Sequence, residues 1–565
     1  MVIMTMFAKF KKLNHLFLFL LIFLNLLPVI LSIYWLHNSV SYNLGILIVS
    51  VCVIALIFLF YQKLPILCIL ILGFFALLGL IELIFIFNYG YVINSNALFL
   101  LKETNPSELM DQIFAVPLYY YVFLAFIIFI IIFNVVLHTP INYINRKKLF
   151  IYSSATLFIA LFAAYHTSSN TTTGEGEINR FSFNNYSGEM VLRGSYPLGL
   201  FFAVSDYFTQ RQELITVAEE KKFFRFMAQR VRDSDEQQVY VLVIGETGRF
   251  YNWSINGYER NTSPMLSARN DVLSIKEMYT ESPFTRYSVP VMITRKLSPG
   301  FDANFRETSI VSFFKEIGFK TFWISMQAPF GFDDSPISMY AFEADEIKFL
   351  NPVDYRFNGK PDYESLPEVE RFISENKNDD IFIVIHTLGS HARYVDRYDE
   401  QFRVFVPDRP ESGVESIYNP ADKEYIINGY DNTILVTDYL LGNLINLLEA
   451  QNIPSWMFYV ADHGESLFDY CLPTGGHGHY VPTPATHHVA AFFWASNEYK
   501  QHNMDLISHI ETNAVKPTST NMMFDTLATL GGGMIPGERV GYNLASDSIV
   551  LPTIRSSTIS TCAQE

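Results

Sequence analysis

WMFYVADHGES, residues 456–466, begins as an apolar run and breaks at Asp462-His463-Gly464-Glu465. The run reads as a buried strand, because short apolar stretches bounded by polar breaks fit strands whose two faces are both covered. Four more runs of this kind lie beyond Gln238: VYVLVIG (239–245), KTFWIS (320–325), IFIVIHT (381–387) and VAAFFWA (489–495). Helix-like stretches fall at 308–317, 422–450 and 520–530. Apolar strands alternating with helices predict a mainly parallel sheet with helices on both faces, an α/β/α domain.

In such sheets ligands bind beyond the carboxyl ends of the strands, and three of those ends carry ligand-type side chains. VYVLVIG runs into Glu246-Thr247, IFIVIHT into Gly389-Ser390-His391, and WMFYVAD into His463-Gly464-Glu465. TGGHGHY (474–480) follows shortly after. Glu246, Asp462 and His463 offer two oxygens and one nitrogen, a partial zinc sphere whose fourth place is left for a reacting group or water. The residue expected there is Thr285, in SPFTRYSVPVM (282–292). Zinc beside a hydroxyl eases loss of its proton and makes it a nucleophile at neutral pH. His391, His477 and Glu465, with His479 as a substitute, form a second set suited to another metal or to a transferred phosphate. His386 reads as a packed or hydrogen-bonded histidine, and His487 and His488 as residues that introduce a strand.

The rest of the chain is of another kind. Of its 565 residues half are hydrophobic, and the apolar excess is concentrated near the N-terminus. Five stretches there are each long enough to cross a bilayer: 13–36, 42–62, 64–87, 117–138 and 148–165. The first is too long, and too soon followed by others, for a cleaved signal peptide. Lys9, Lys11, Lys12, Lys63, Arg146, Lys147 and Lys148 all fall on one side of the five crossings, which sets the N-terminus in the cytoplasm and everything after the fifth span outside. In a bacterium with two membranes, outside means the periplasm. Residues 1–168 are therefore expected to form a membrane domain, 169–235 a linker with membrane-proximal helices, and 236–565 an external catalytic domain. The segment around 195–224 reads as a helix lying beside the bilayer or packed as a connector on the soluble domain.

Charge follows the same division. Residues 1–168 carry eight Lys/Arg against four Asp/Glu, and the remainder carries −20 of the chain's net −16. So acidic a domain argues against nucleic acid as partner, since phosphate backbones need Lys and Arg. Cys52 and Cys68 lie in spans; Cys471 and Cys562 lie in the exported part and are able to pair only if the fold brings them together.

Seven segments give the chain a family likeness: VIGETGRFYNWSINGYERNTSP (243–264), TRYSVPVM (285–292), HTLGSHARYVDRY (386–398), YDNTILVTDYLLG (430–442), DHGES (462–466), HG (477–478) and FFWAS (492–496). In content and order they resemble the lipopolysaccharide phosphoethanolamine transferases, relatives of the colistin-resistance transferases within the alkaline phosphatase and sulfatase superfamily. DHGES alone is common to the superfamily; NGYERNTSP with TRYSVP is more specific.

The resemblance implies an alkaline-phosphatase-like fold, five spans, and a zinc-dependent enzyme of the bacterial inner membrane with its catalytic domain in the periplasm. It implies that Glu246, Thr285, Asp462 and His463 hold one zinc, with Thr285 as nucleophile, and that His391, His477 and Glu465 bind phosphoethanolamine or a second zinc. The implied donor is phosphatidylethanolamine and the implied acceptor a lipopolysaccharide, at lipid A or a core sugar; no nucleotide is required. The chain departs from relatives where Glu281 and Val291 stand near the places of flanking cysteines, where Arg286 follows the nucleophile, and where WISMQAPFGFDDSP (323–336) has no lysine. These departures lean toward a core sugar. The rival readings are a phosphoglycerol transferase, sulfatase or phosphatase of the same superfamily, and a non-catalytic membrane-anchored sensor or assembly protein.

Overall fold

A computed structural model describes residues 22–33, 40–59, 64–89, 92–95, 97–98, 188–221, 223–232 and 236–552, less 301–304, 328–335, 352–359, 412–414, 418, 470–474, 478–482, 538 and 551. It divides into two compact units, 1–210 and 211–565.

In the first unit, α1 (Val40–Leu59) and α2 (Pro65–Tyr89) fall where the second and third spans are expected. Pro65 opens α2, where a missing N–H costs nothing. Each helix leaves an apolar stripe uncovered at helical spacing: Leu44, Ile48 and Val51 on α1, and Leu67, Leu70, Phe74 and Leu77 on α2. Among the described residues no helix is long and apolar enough to cross a membrane. The fourth and fifth expected spans, and parts of the first, lie outside the described residues. A third helix, α3 (Leu198–Lys221), exposes Phe201, Val204 and Phe208 at the same spacing.

The second unit is built in chain order from β1 (Val239–Gly245), β2 (Leu273–Ser274), α4 (Thr285–Ile293), α5 (Ile310–Glu316), β3 (Lys320–Ser325), β4 (Glu346–Phe349), α6 (Leu366–Glu375), β5 (Ile381–His386), α7 (Lys423–Glu449), β6 (Ser455–Ala461) and β7 (Ala491–Ala495), followed by helices Met504–Asn513 and Met523–Leu530, with further short pieces along the chain. The seven strands form one sheet in the order β2-β7-β6-β1-β5-β3-β4. The five from β6 to β4 run parallel, and β7 and β2 close one edge antiparallel.

Helices cover both faces. Phe322 and Phe382 stand one register position apart on neighbouring strands and so face opposite ways. Phe314 of α5 stacks on Phe382 with centroids 3.8 Å apart, and Phe372 of α6 stacks on Phe322 at 4.1 Å. This is the three-layer arrangement that the apolar runs imply. One run is cut differently. VAAFFWA does not form a single strand: Val489 pairs with Met278 in a separate three-stranded sheet, and Ala490 donates its N–H to Gly248 before β7 starts at Ala491. Cys52 and Cys68 are unpaired thiols; Cys471 and Cys562 lie outside the described residues.

Candidate active site

Register assembles the site. Gly245 at the end of β1 pairs with Ala461 at the end of β6, and Ile244 pairs with His386 at the end of β5. The next residues on each strand, Glu246, Asp462 and Thr387, therefore leave the sheet at one edge and one level. Gly389 then brings its loop against β1. It has φ +51°, and a Cβ there would lie 2.4 Å from the Glu246 carbonyl oxygen, so only glycine fits without a shift. Ser390 donates its N–H to that same oxygen at 3.0 Å.

Glu246, Asp462 and His463 are all buried, and each offers a ligand atom within 4.8 Å of the others. His463 donates Nδ1–H to the Gly464 carbonyl at 2.9 Å, which turns Nε2 toward the two carboxylates. Nε2 lies 3.4 Å from Glu246 Oε1 and from Asp462 Oδ2. Asp462 Oδ1 is occupied by the N–H groups of Thr247 and His463, whereas the buried Oδ2 has no hydrogen-bond partner.

The electrostatics call for a cation. Burial and the negative charge of Glu246 raise the pKa of Asp462. Burial opposes ionisation of Glu246, but the hydrogen bond and charge of His463 outweigh it and hold the carboxyl below its usual range. Burial also opposes charging of His463, and the two carboxylates overcome that too, raising its pKa. Two buried carboxylates around one imidazole are costly without a compensating positive charge. The Asp462 Oδ2 without a hydrogen bond, the inward-facing His463 Nε2 and the mixed oxygen and nitrogen donors all fit a divalent metal such as zinc.

Thr285 is the first residue of α4. Its Oγ1 lies 3.1 Å from His463 Nε2, 3.2 Å from Glu246 Oε2 and 3.4 Å from Glu246 Oε1. The positive end of the helix dipole at this terminus favours negative charge on the hydroxyl oxygen or on a group joined to it.

The second expected set lies beside the first. His477 donates Nδ1–H to Glu465 Oε2 at 3.0 Å, and its ring lies 4.2 Å from that of His463. His391 donates Nδ1–H to the Ala392 carbonyl at 2.8 Å, with its ring 6.3 Å from that of His477. With Nδ1 held by Glu465, His477 keeps Nε2 for a ligand. Glu465 Oε1 is buried without a hydrogen-bond partner. His479 lies outside the described residues. His386 is buried at the end of β5 with its pKa lowered to about 4 by burial. His487 ends a short helix, and His488 begins the strand shared with Met278–Tyr279.

Several residues that complete the site were not singled out by pattern. Thr247 donates from its N–H to Asp462 and from its hydroxyl to Glu246. Gln327 emerges two residues after β3 at the same sheet edge and donates Nε2–H to Glu246 Oε2 at 3.1 Å. Tyr430 of α7 donates its hydroxyl to the Thr247 carbonyl at 2.7 Å. Asp362 accepts the N–H groups of Leu388 and Gly389, both at 2.8 Å, and so shapes the loop that leads to His391. A threonine after a glutamate, or a glutamine in a loop, carries no local mark of such a role.

Residues 238–533, more than half of the chain, match the sequence pattern of the family described as Sulfatase. Among curated proteins, phosphoethanolamine transferase EptA of Salmonella typhimurium is 27% identical over 57% of this chain and 57% of its own length. Phosphoethanolamine transferase EptA of Helicobacter pylori is 24% identical over 80% of each chain. Among solved structures, the integral membrane lipooligosaccharide phosphoethanolamine transferase A of Neisseria meningitidis superposes with a TM-score of 0.63 at 19% identity, covering 94% of this chain and 98% of its own. That likeness is one of fold.

Proposed function

We propose that this chain, which belongs to the sulfatase family, is a membrane-bound phosphoethanolamine transferase that moves phosphoethanolamine from phosphatidylethanolamine to lipopolysaccharide. The observation that carries the reading is the Thr285 hydroxyl, 3.1 Å from His463 and 3.2 Å from Glu246 at a helix N-terminus. The relatives named phosphoethanolamine transferases support the choice of transferred group, and a threonine at this place differs from the Cys or Ser that a sulfatase normally needs.

Glu246, Asp462 and His463 are the residues that would hold one zinc ion. Zinc bound there supplies positive charge that favours loss of the Thr285 proton and offsets charge growing on phosphoryl oxygens. Thr285 Oγ1, its proton released to water, forms a bond to the donor phosphorus as the P–O bond to diacylglycerol breaks, leaving phosphoethanolamine on Thr285. His391, His477 and Glu465 receive the transferred group, and a second ion there is compatible with the same residues. As an imidazolium, with Nδ1–H on Glu465, His477 gives its Nε2 proton to the departing glycerol oxygen. In the second half the acceptor hydroxyl gives a proton back to that imidazole and attacks phosphorus, and the P–O bond to Thr285 breaks to return the Thr285 alkoxide. A covalent intermediate lets one site serve two lipids in turn, with no nucleotide.

The uncovered apolar stripes of α1 and α2 and the sequence of five apolar stretches support a multi-pass inner-membrane protein with its catalytic unit in the periplasm. The test is headgroup transfer by the full chain in mixed vesicles that contain lipopolysaccharide. Labelled phosphatidylethanolamine should be converted to diacylglycerol with label appearing on the lipopolysaccharide, and phosphatidylglycerol should not react. Transfer of phosphoglycerol instead would assign the chain to the rival transferase class.

A further inference from the structure

Thr247 touches both buried carboxylates at once. Its N–H donates to Asp462 Oδ1 at 3.0 Å and its Oγ1–H donates to Glu246 Oε1 at 2.8 Å. The residue is fully buried, and its φ is +60°. A β-branched side chain rarely adopts that left-handed backbone, which persists only where the surroundings impose it. The surroundings are visible. The Thr247 carbonyl accepts from the Tyr430 hydroxyl at 2.7 Å, and that hydroxyl accepts the N–H of Arg249 at 3.0 Å. Helix α7 thus grips the chain on both sides of Gly248, and the peptide is held with one donor turned to each carboxylate. A glycine would meet the backbone requirement more cheaply. What threonine adds is the hydroxyl on Glu246.

We infer that Thr247 is a positioning residue for the metal, fixing Glu246 and Asp462 together in the orientation that binds it. With Oδ1 held by the Thr247 N–H, Asp462 keeps Oδ2 for the ion; with Oε1 held by the hydroxyl, Glu246 does not rotate away. The inference rests on the proposal that the triad holds zinc.

The test is zinc affinity of the detergent-solubilised full chain, measured by competition with a fluorescent zinc chelator. Three variants are compared. Thr247→Val removes the hydroxyl and keeps the branched shape, Thr247→Ser keeps the hydroxyl, and Thr247→Gly removes the hydroxyl and relieves the backbone, so it serves if the valine variant does not fold. Loss of a residue that orients metal ligands typically weakens binding about 10–100-fold. That loss is expected for valine and glycine, while serine stays within about threefold of wild type. Melting of the metal-free serine variant should match the metal-free wild type, and the glycine variant, relieved of the left-handed backbone, should melt no lower. Unchanged affinity in the valine or glycine variant would overturn the inference alone, as would a serine variant as weak as glycine. A wild-type chain that binds no zinc would overturn the metal reading and this inference with it, whereas phosphoethanolamine on Thr285 is scored separately by mass.

Discussion

Thr285 Oγ1 and His463 Nε2 are 3.1 Å apart although 178 residues separate them in the chain. The contact joins the start of a helix to the residue two beyond the end of a central strand, so it exists only when the sheet edge is fully formed. Thr285→Ser keeps a hydroxyl at this place, and Thr285→Ala does not. Transfer is expected to survive in the serine variant at reduced rate and to fall about 10³-fold or more in the alanine variant, with wild-type circular dichroism in both.

In the proposed mechanism Glu465 acts through His477, whose Nδ1–H it accepts at 3.0 Å. Glu465→Gln weakens that hold without removing the imidazole. Turnover is expected to drop about 10²-fold, in the range of general acid–base contributions, with the zinc content of the triad unchanged. A variant that loses both activity and zinc would place Glu465 with the metal ligands instead.

Metal removal should be visible as lost stability. Without a cation, Glu246 and Asp462 are buried beside each other with Asp462 Oδ2 unpartnered. Returning free zinc at 100 times its Kd adds about 2.7 kcal/mol of stability to the chelator-treated chain. Differential scanning calorimetry in detergent should therefore show the melting point rise with zinc, by a similar step for each tenfold increase above Kd. Magnesium, which prefers six oxygen ligands, should do far less.

Asp362 predicts a structural effect at a distance from the chemistry. Burial raises its pKa to about 6, against the lowering effect of the Leu388 and Gly389 N–H groups that it accepts. Asp362→Ala leaves both donors buried and unpaired, at about 1–3 kcal/mol each. Chemical denaturation should show a loss of that order. Transfer activity should fall too, since the same loop leads to His391.

His488 offers a pH test that stands apart from the metal site. Its ring stacks on Phe250 at 4.1 Å, Nε2–H donates to the Lys276 carbonyl, and Nδ1 accepts from the Tyr251 hydroxyl. Burial lowers its pKa to about 4, against a weaker upward effect of the Lys276 carbonyl. A lowered histidine pKa contributes stability above the unfolded value near 6.5, and that contribution is lost as pH falls from 6.5 toward 4. The stability advantage of wild type over His488→Gln should therefore shrink on the order of 1–2 kcal/mol between pH 7 and pH 5. Urea denaturation at the two pH values measures it, and the difference between the two proteins cancels the other titrating groups.

The parts legible in the sequence were those with a local physical signature. A parallel strand buried on both faces leaves an apolar run, so all five runs appear in strands, and the ligand-type residues after Gly245, His386 and Ala461 meet because those strands are in register. The edge strand β4, EIKF, left no such run because it is only half buried. Thr247, Gln327 and Tyr430 were not found because their roles depend on partners 215, 81 and 183 residues away. VAAFFWA reads as one strand because its apolar pattern continues through Ala490, where the backbone changes partner.

The most direct test of the account is peptide mass spectrometry of the full chain purified from a membrane rich in phosphatidylethanolamine, beside Thr285→Ala. Phosphoethanolamine on the peptide that contains Thr285, absent from the alanine variant, is the expected result. An unmodified Thr285 in a chain that nevertheless transfers phosphoethanolamine, or an adduct on another residue, would contradict it.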